Sequence, residues 1–202
     1  MRRSLAIVGA ADKVRGSAGA DQDRTSSQAG ALAKSRWPQP DARHASRRRI
    51  FRSDCIMTIS IRPSRASDFP RTFEIWRSAV VATHDFLTPE DFAAIEVLVR
   101  DQYLPAAEFW IAADENDLAL GFMGMSGAQI DSLFVQAEAR GAGVGRRLVE
   151  HAMSLHPVLT VDVNEQNVSG AGFYRRMGFE VVGRSPVDDA GRPYPLLHLR
   201  RG

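Results

Sequence analysis

A glycine-rich segment followed directly by an amphipathic helical pattern is the clearest pointer to ligand chemistry in this sequence. The segment is Arg140–Gly141–Ala142–Gly143–Val144–Gly145, after a predicted strand over residues 130–135. Glycines at alternate positions permit positive φ and a close approach of the backbone to a ligand. A helix N-terminus adds free N–H groups and a partial positive charge. The pattern predicts a phosphate or pyrophosphate site, and its alternative is a glycine-rich turn without a ligand.

Two common phosphate-binding motifs do not fit this segment. A dinucleotide fingerprint requires a glycine three residues after Gly143, where the sequence has Arg146. A P-loop requires Gly-Lys-Ser/Thr, and residues 57–202 contain no lysine. The loop therefore needs a different structural context to explain it.

The elements that must position this loop can be read from Met57 onward. Apolar residues recur at helical or strand spacing, and Pro, Gly and acidic clusters separate the segments. Two helix starts are predicted, with Ser67 as N-cap of the first and Thr88–Pro89 opening the second. The predicted order is a strand, two helices, three strands, a helix, a strand, a helix near 171–177 and two strands. This order predicts an α/β fold with a mixed sheet.

Two segments together resemble the GNAT superfamily of N-acetyltransferases. Arg140 to Gly145 resembles the family's motif A, Gln/Arg-x-x-Gly-x-Gly/Ala, and residues 167–179 resemble its motif B, with Tyr174 and the terminal Gly178–Phe179. The resemblance covers residues 57–202 and none of 1–56. It implies the acyl-CoA N-acyltransferase fold, a central, mostly antiparallel twisted sheet flanked by helices.

The resemblance also implies a reaction, the transfer of acetyl from acetyl-CoA to a primary amine without a metal. In that family the pyrophosphate contacts the backbone of the motif A loop, and the pantetheine arm follows the preceding strand. Asn167 is expected either to contact the co-substrate or to cap the next helix. The residues expected to bind acetyl-CoA are Leu133, Phe134, Val135, Arg140, Gly141, Ala142, Gly143, Val144, Gly145, Arg146 and Asn167.

Tyr174 occupies the position at which the family keeps a general acid. A thiol has a pKa of about 8.5 and a tyrosine of about 10, so a tyrosine hydroxyl is protonated at neutral pH and can donate to the departing thiolate. The alternative is a core tyrosine with a satisfied hydroxyl.

The sequence indicates less clearly which residue accepts the proton that the amine loses. Asp131 on the strand before motif A, Glu165 after the next strand and His84 after the first helix are the candidates. Asp131 could act through a water molecule, and His84 has a near-neutral intrinsic pKa. The alternatives are a solvated carboxylate, a helix-terminal histidine, and direct loss of the proton to solvent.

Three further segments resemble a bacterial subgroup, the YjaB-type acetyltransferases, described as acting on peptidyl lysine. These segments are residues 84–87, 163–167 and 193–197. The expected acceptor is thus a protein lysine or a small-molecule amine. A catalytically silent acyl-CoA-binding sensor on the same fold is the alternative, because a fold does not fix its chemistry.

The N-terminal 56 residues differ in composition from the rest. They hold 12 Lys+Arg and 5 Asp, whereas residues 57–202 hold 14 Arg and 19 Asp+Glu. Residues 1–56 are expected to be a disordered basic leader, with Met57 as the start of the folded domain. The acidic domain argues against a nucleic-acid partner. One cysteine and no long apolar run favour a cytoplasmic protein without a membrane partner. The protein is expected to be a monomer or a homodimer.

Overall fold

Seven strands form one sheet in the computed structural model, which describes residues 58–202. The predicted leader and Met57 lie outside the described residues. The strands are β1 Ser60–Pro63, β2 Phe109–Ala113, β3 Ala119–Ser126, β4 Gln129–Val135, β5 Leu159–Asn164, β6 Glu180–Ser185 and β7 Leu196–Arg201.

The strand order across the sheet is β1-β2-β3-β4-β5-β7-β6. Every neighbouring pair is antiparallel except β4 and β5, which run parallel because α4 connects them. The predicted mixed and mostly antiparallel sheet is confirmed.

The principal helices are α1 Phe69–Thr83, α2 Pro89–Leu98, α4 Val144–Leu155 and α5 Val168–Arg176. Helix α2 continues through a π-helical turn, Val99–Tyr103, into the short α3, Leu104–Ala106. None of the helices in residues 58–202 combines the length and the apolar character needed to cross a membrane.

The predicted start of α2 is confirmed and that of α1 is wrong. Thr88 Oγ1 accepts a hydrogen bond from the Asp91 N–H at 3.1 Å, so Thr88 caps α2. Ser67 lies inside a short 3₁₀ turn instead, and α1 begins at Phe69 with Asp68 as N-cap. The Asp68 carboxylate accepts from the Arg65 N–H at 2.7 Å and binds Arg62, which fixes this turn.

Each face of the sheet packs against a different pair of helices. Ile111 and Phe122 join the cluster that contains residues of α1 and α2, whereas their neighbours Ala112 and Met123 join the cluster that contains residues of α4 and α5. This alternation follows from the two-residue period of a strand. The loop from β4 to α4 is held at both ends by this core, because Phe134 at the end of β4 and Val144 at the start of α4 are both buried in it.

Candidate active site

A cavity of about 570 Å³ lies where β4 and β5 diverge. The two strands pair at Gln129 with Thr160 and at Ile130 with Val161, and the pairing ends there. Beyond this point β4 runs on to Val135 with β3 as its one neighbour among the described strands. Backbone N–H and C=O groups on the open side of β4 are therefore available to an extended ligand.

The predicted phosphate loop forms one wall of this cavity. Gly141 and Gly143 have φ values of +82° and +89°, in the left-handed region that favours glycine. A Cβ on either residue would meet no atom within 4 Å, so both backbones are open to a ligand. Gly143 is also the N-cap of α4, and the first N–H groups of that helix lack intrahelical acceptors. This cradle fits a phosphate or pyrophosphate group.

The residues predicted to bind acetyl-CoA converge on the cavity, with one exception. Ala142 is not part of the lining, whereas the remaining ten line it. Those ten are Leu133, Phe134, Val135, Arg140, Gly141, Gly143, Val144, Gly145, Arg146 and Asn167. Val144 is also part of the hydrophobic core, so its side chain anchors the loop while its backbone borders the cavity.

Asn167 caps α5, one of the two roles that the sequence left open. Its Oδ1 accepts from the Gly170 N–H at 2.9 Å and from the Ser169 hydroxyl at 3.3 Å. A Cβ on Gly170 would lie 2.7 Å from Asn167 Nδ2, so glycine leaves the room that this cap needs. Because Asn167 also lines the cavity, capping fixes a polar side chain at the ligand site.

Tyr174 projects from α5 to the cavity and is only 6% exposed. Its ring packs edge-on against Phe173 and Phe179, with centroids 5.1 and 5.3 Å away. Its hydroxyl has no hydrogen-bond partner among residues 58–202. Burial raises the pKa of this hydroxyl above its ordinary value, because a phenolate would be poorly solvated there. Tyr174 therefore stays protonated near neutral pH and can act as a proton donor.

His84 and Asp131 line the same cavity, and both are buried. His84 ends α1, and its Nδ1 lies 2.7 Å from the Thr83 hydroxyl. Burial lowers the pKa of His84 to about 4, so the imidazole is neutral at pH 7. Asp131 accepts a hydrogen bond from the Ser126 hydroxyl, across the hairpin that joins β3 and β4.

Glu165, the third candidate for the proton acceptor, is not among the residues that line the cavity. Its carboxylate pairs with Arg184 on β6, with Oε2 and Nη2 2.7 Å apart. This guanidinium lowers the pKa of the carboxyl group. Glu165 is therefore committed to a surface ion pair.

The cavity lining includes two polar residues of β5, Asp162 and Asn164, whose place at the site was not predicted from the sequence. Asp162 Oδ1 lies 2.7 Å from His198 Nδ1 on β7, and His198 Nε2 lies 2.8 Å from the Ser185 hydroxyl on β6. A chain of hydrogen bonds thus links the cavity to a histidine side chain that is 36% exposed. The only sequence signal was the alternation of Asp162 with buried Val161 and Val163.

Charge is unevenly distributed over the cavity lining. Arg140, Arg146 and Arg176 come from the phosphate loop, the first turn of α4 and the last turn of α5. Asp131 and Asp162 lie near the level where β4 and β5 still pair, several residues before the loop. One end of the cavity therefore suits a polyanion and the other a cation.

Comparison with known proteins agrees with this geometry. Residues 105–181 match a family described as acetyltransferase (GNAT) domain. The chain is 52% identical to the peptidyl-lysine N-acetyltransferase YjaB of Escherichia coli K12, over 71% of this chain and 97% of that protein. It is 30% identical to the peptidyl-lysine N-acetyltransferase YiaC of the same organism, over 66% of this chain and 91% of that protein.

Solved structures share the same fold. The solution structure of the apo form of YjaB from Escherichia coli superimposes with a TM-score of 0.69, covering 71% of this chain and 97% of that one at 52% identity. A GCN5-related N-acetyltransferase from Rhodopseudomonas palustris gives 0.62 at 22% identity, covering 72% and 96%, which supports the fold alone. Because 52% of the aligned residues are identical to YjaB over 97% of that protein, and the two structures superimpose with a TM-score of 0.69, this chain belongs to the GNAT family of acetyltransferases.

Proposed function

We propose that this acetyltransferase uses acetyl-CoA to acetylate the side-chain amine of a lysine in a peptide or protein. The observation that carries the proposal is the convergence of the phosphate loop, the open side of β4 and Tyr174 on one cavity. The lysine acceptor is supported by the names of the relatives from Escherichia coli and Salmonella typhimurium, which are both peptidyl-lysine N-acetyltransferases.

The carboxylate end of the cavity suits the acceptor. A lysine ammonium is attracted by Asp131 and Asp162, and the neutral imidazole of His84 does not repel it. The amine must lose a proton before it can attack a carbonyl carbon. We assign Asp131 to accept that proton through a water molecule. His84 is a weak proton acceptor because burial lowers its pKa to about 4, so we assign it to orient the amine as a hydrogen-bonding group.

At the other end of the reaction a thiolate must be neutralised. Acetyl-CoA, when bound, supplies an activated thioester. The new bond joins the amine nitrogen to the acetyl carbon, and the bond that breaks is the carbon–sulfur bond. Tyr174 donates its phenolic proton to the departing sulfur, because its hydroxyl is protonated and has no competing partner in residues 58–202. Solvent then returns the proton to the phenol.

The test is a reaction with a defined acceptor. The full chain is incubated with acetyl-CoA and a peptide that contains one lysine and a blocked N-terminus, and thiol release is followed together with the peptide mass. Thiol release that depends on the peptide, together with one acetyl group on the lysine, is the expected result. The matched control replaces that lysine with arginine, which keeps the charge but is not deprotonated.

Two outcomes would contradict the proposal. Equal thiol release with the arginine peptide would exclude lysine as the acceptor. Tight CoA binding without turnover on peptides or small amines would favour the silent sensor.

A further inference from the structure

Three arginine side chains border the cavity next to the phosphate loop, Arg140, Arg146 and Arg176. None of them forms an ion pair with a carboxylate within the described part of the chain, residues 58–202. The Arg140 guanidinium donates to the Ser169 hydroxyl at 3.0 Å, a neutral partner. Three positive charges at one mouth of a cavity favour an anionic ligand group.

Local packing directs these side chains to one crevice. Gly145, in the first turn of α4, faces the Phe173 ring of α5, because a Cβ there would lie 3.3 Å from that ring. The Arg176 side chain folds back over its own helix, since a Cβ on Gly172 would lie 3.4 Å from Arg176 Nη1. Arg140 reaches the first turn of α5 through Ser169. The crevice between the start of α4 and α5 is thus bordered by guanidinium groups.

The backbone cradle accounts for only part of the charge that acetyl-CoA carries. Its pyrophosphate suits the free N–H groups and the glycines of the loop. Its 3′-phosphate is a monoester, which carries a charge of about −1.5 to −2 at pH 7 by analogy with other phosphate monoesters. One guanidinium group can donate two parallel hydrogen bonds to two phosphate oxygens, and it remains charged at all relevant pH values.

We propose that Arg140, Arg146 and Arg176 bind the 3′-phosphate of the co-substrate and so select CoA over 3′-dephospho-CoA. The proposal rests on the proposed use of acetyl-CoA. It assigns the pyrophosphate to the loop backbone and the terminal phosphate to the side chains.

The chain supplies matched controls next to two of these residues. Arg175 and Arg147 are exposed arginines that directly adjoin Arg176 and Arg146, and neither lines the cavity. Arg175 also shares with Arg176 the favourable position in the last turn of α5. Replacing Arg175 removes the same charge from the same turn as replacing Arg176, so only the position of the guanidinium differs. Arg147 also forms a 3.7 Å ion pair with Glu150, so it is the less exact match of the two.

The experiment is calorimetric titration of the full chain with CoA and with 3′-dephospho-CoA. We expect the wild type to bind CoA at least about tenfold more tightly, a preference that falls as salt is raised. Arg176→Gln and Arg146→Gln should each weaken CoA binding severalfold and leave dephospho-CoA binding nearly unchanged. Arg175→Gln and Arg147→Gln should preserve the preference. Melting temperatures within a few degrees of wild type confirm that each variant is folded.

Each contrary outcome has a distinct meaning. Equal affinity of the wild type for both ligands would overturn the 3′-phosphate site and leave acetyl-CoA as the co-substrate. An equal loss for both ligands in Arg176→Gln would overturn it too, and would assign that arginine to the pyrophosphate. If neither ligand binds the wild type, the proposed function fails, and this inference fails with it.

Discussion

Replacing Tyr174 with phenylalanine removes a single oxygen atom, so it tests the catalytic role of the hydroxyl without removing the packing of the ring. Tyr174 lines the cavity and its hydroxyl makes no hydrogen bond to residues 58–202, so removing the oxygen breaks no hydrogen bond within that part of the chain. The ring keeps its edge-on contacts with Phe173 and Phe179. We therefore expect the free energy of unfolding to change by less than about 0.5 kcal/mol, since no buried partner is left unsatisfied.

The effect on turnover should be far larger. A general acid contributes typically about 10²–10⁴ in rate, which corresponds to about 3–5 kcal/mol of transition-state stabilisation. We expect kcat of Tyr174→Phe to fall by that factor, with acetyl-CoA affinity nearly unchanged. Because burial raises the pKa of this hydroxyl, its deprotonation should cause no fall in the wild-type rate below pH of about 10. The assay is steady-state thiol release, combined with calorimetry of CoA binding.

Tyr194 provides the matched control. It is also a buried tyrosine, but its hydroxyl donates to Asp91 Oδ2 and accepts from the Thr88 N–H at 3.3 Å, away from the cavity. Tyr194→Phe should lose about 1–2 kcal/mol of stability, a fall in Tm of roughly 3–6 °C, with kcat within about twofold of wild type. Near-normal turnover in Tyr174→Phe would refute the assignment of the acid, and a large fall in its Tm would indicate a structural role.

Three further changes test other parts of the site. Gly143→Val should weaken CoA binding about tenfold or more, as measured by calorimetry. Gly191→Val is the control, because Gly191 has a φ of +78°, close to the +89° of Gly143, and lies outside the cavity lining. It introduces similar backbone strain and should leave the affinity for CoA unchanged. Burial lowers the pKa of His84 from 6.5 to about 4. Between pH 6.5 and pH 4 the unfolded chain therefore binds more protons than the folded chain, and the free energy of unfolding falls as the pH drops through this range. His84→Gln should remove up to about 3 kcal/mol of this loss in denaturant titrations at pH 7 and pH 4, and an unchanged pH dependence would contradict the burial argument. A chain that begins at Met57 should match the full chain in Tm and CoA affinity, and a loss of several kcal/mol would show that the leader contributes to the fold.

Local signals predicted several parts of this fold that local interactions determine. Thr88 caps α2 because its own hydroxyl reaches the Asp91 N–H three residues on, a contact that requires no distant partner. The glycine spacing at Gly141 and Gly143 likewise encodes the left-handed turns of the loop. The motif resemblance then placed Tyr174 at the same cavity, which no local pattern could do.

Of the features that the sequence did not predict, two have local causes and one depends on residues far apart in the chain. Ser67 fails as a cap because Arg62 and Arg65 engage the neighbouring Asp68 instead. Helix α5 begins three residues before the predicted position because Asn167 caps it. Its first residue, Val168, is 78% exposed and does not belong to the apolar stripe from which the helix was predicted. Asp162 lines the cavity and hydrogen-bonds to His198, a partner 36 residues away, and single-sequence periodicity carries no information about such a contact.

The divergence of β4 and β5 also has a mechanical consequence. Strands β1–β4 and β5–β7 form two halves of the sheet whose shared ladder consists of Gln129 with Thr160 and Ile130 with Val161. A ligand that lies along β4 replaces missing cross-strand hydrogen bonds and so acts as a short strand between the halves. Ligand at about 100 times its Kd would add about 2.7 kcal/mol to the unfolding free energy. We therefore expect the two halves of the sheet to unfold more cooperatively when ligand is bound, with slower hydrogen exchange at amides within residues 132–135.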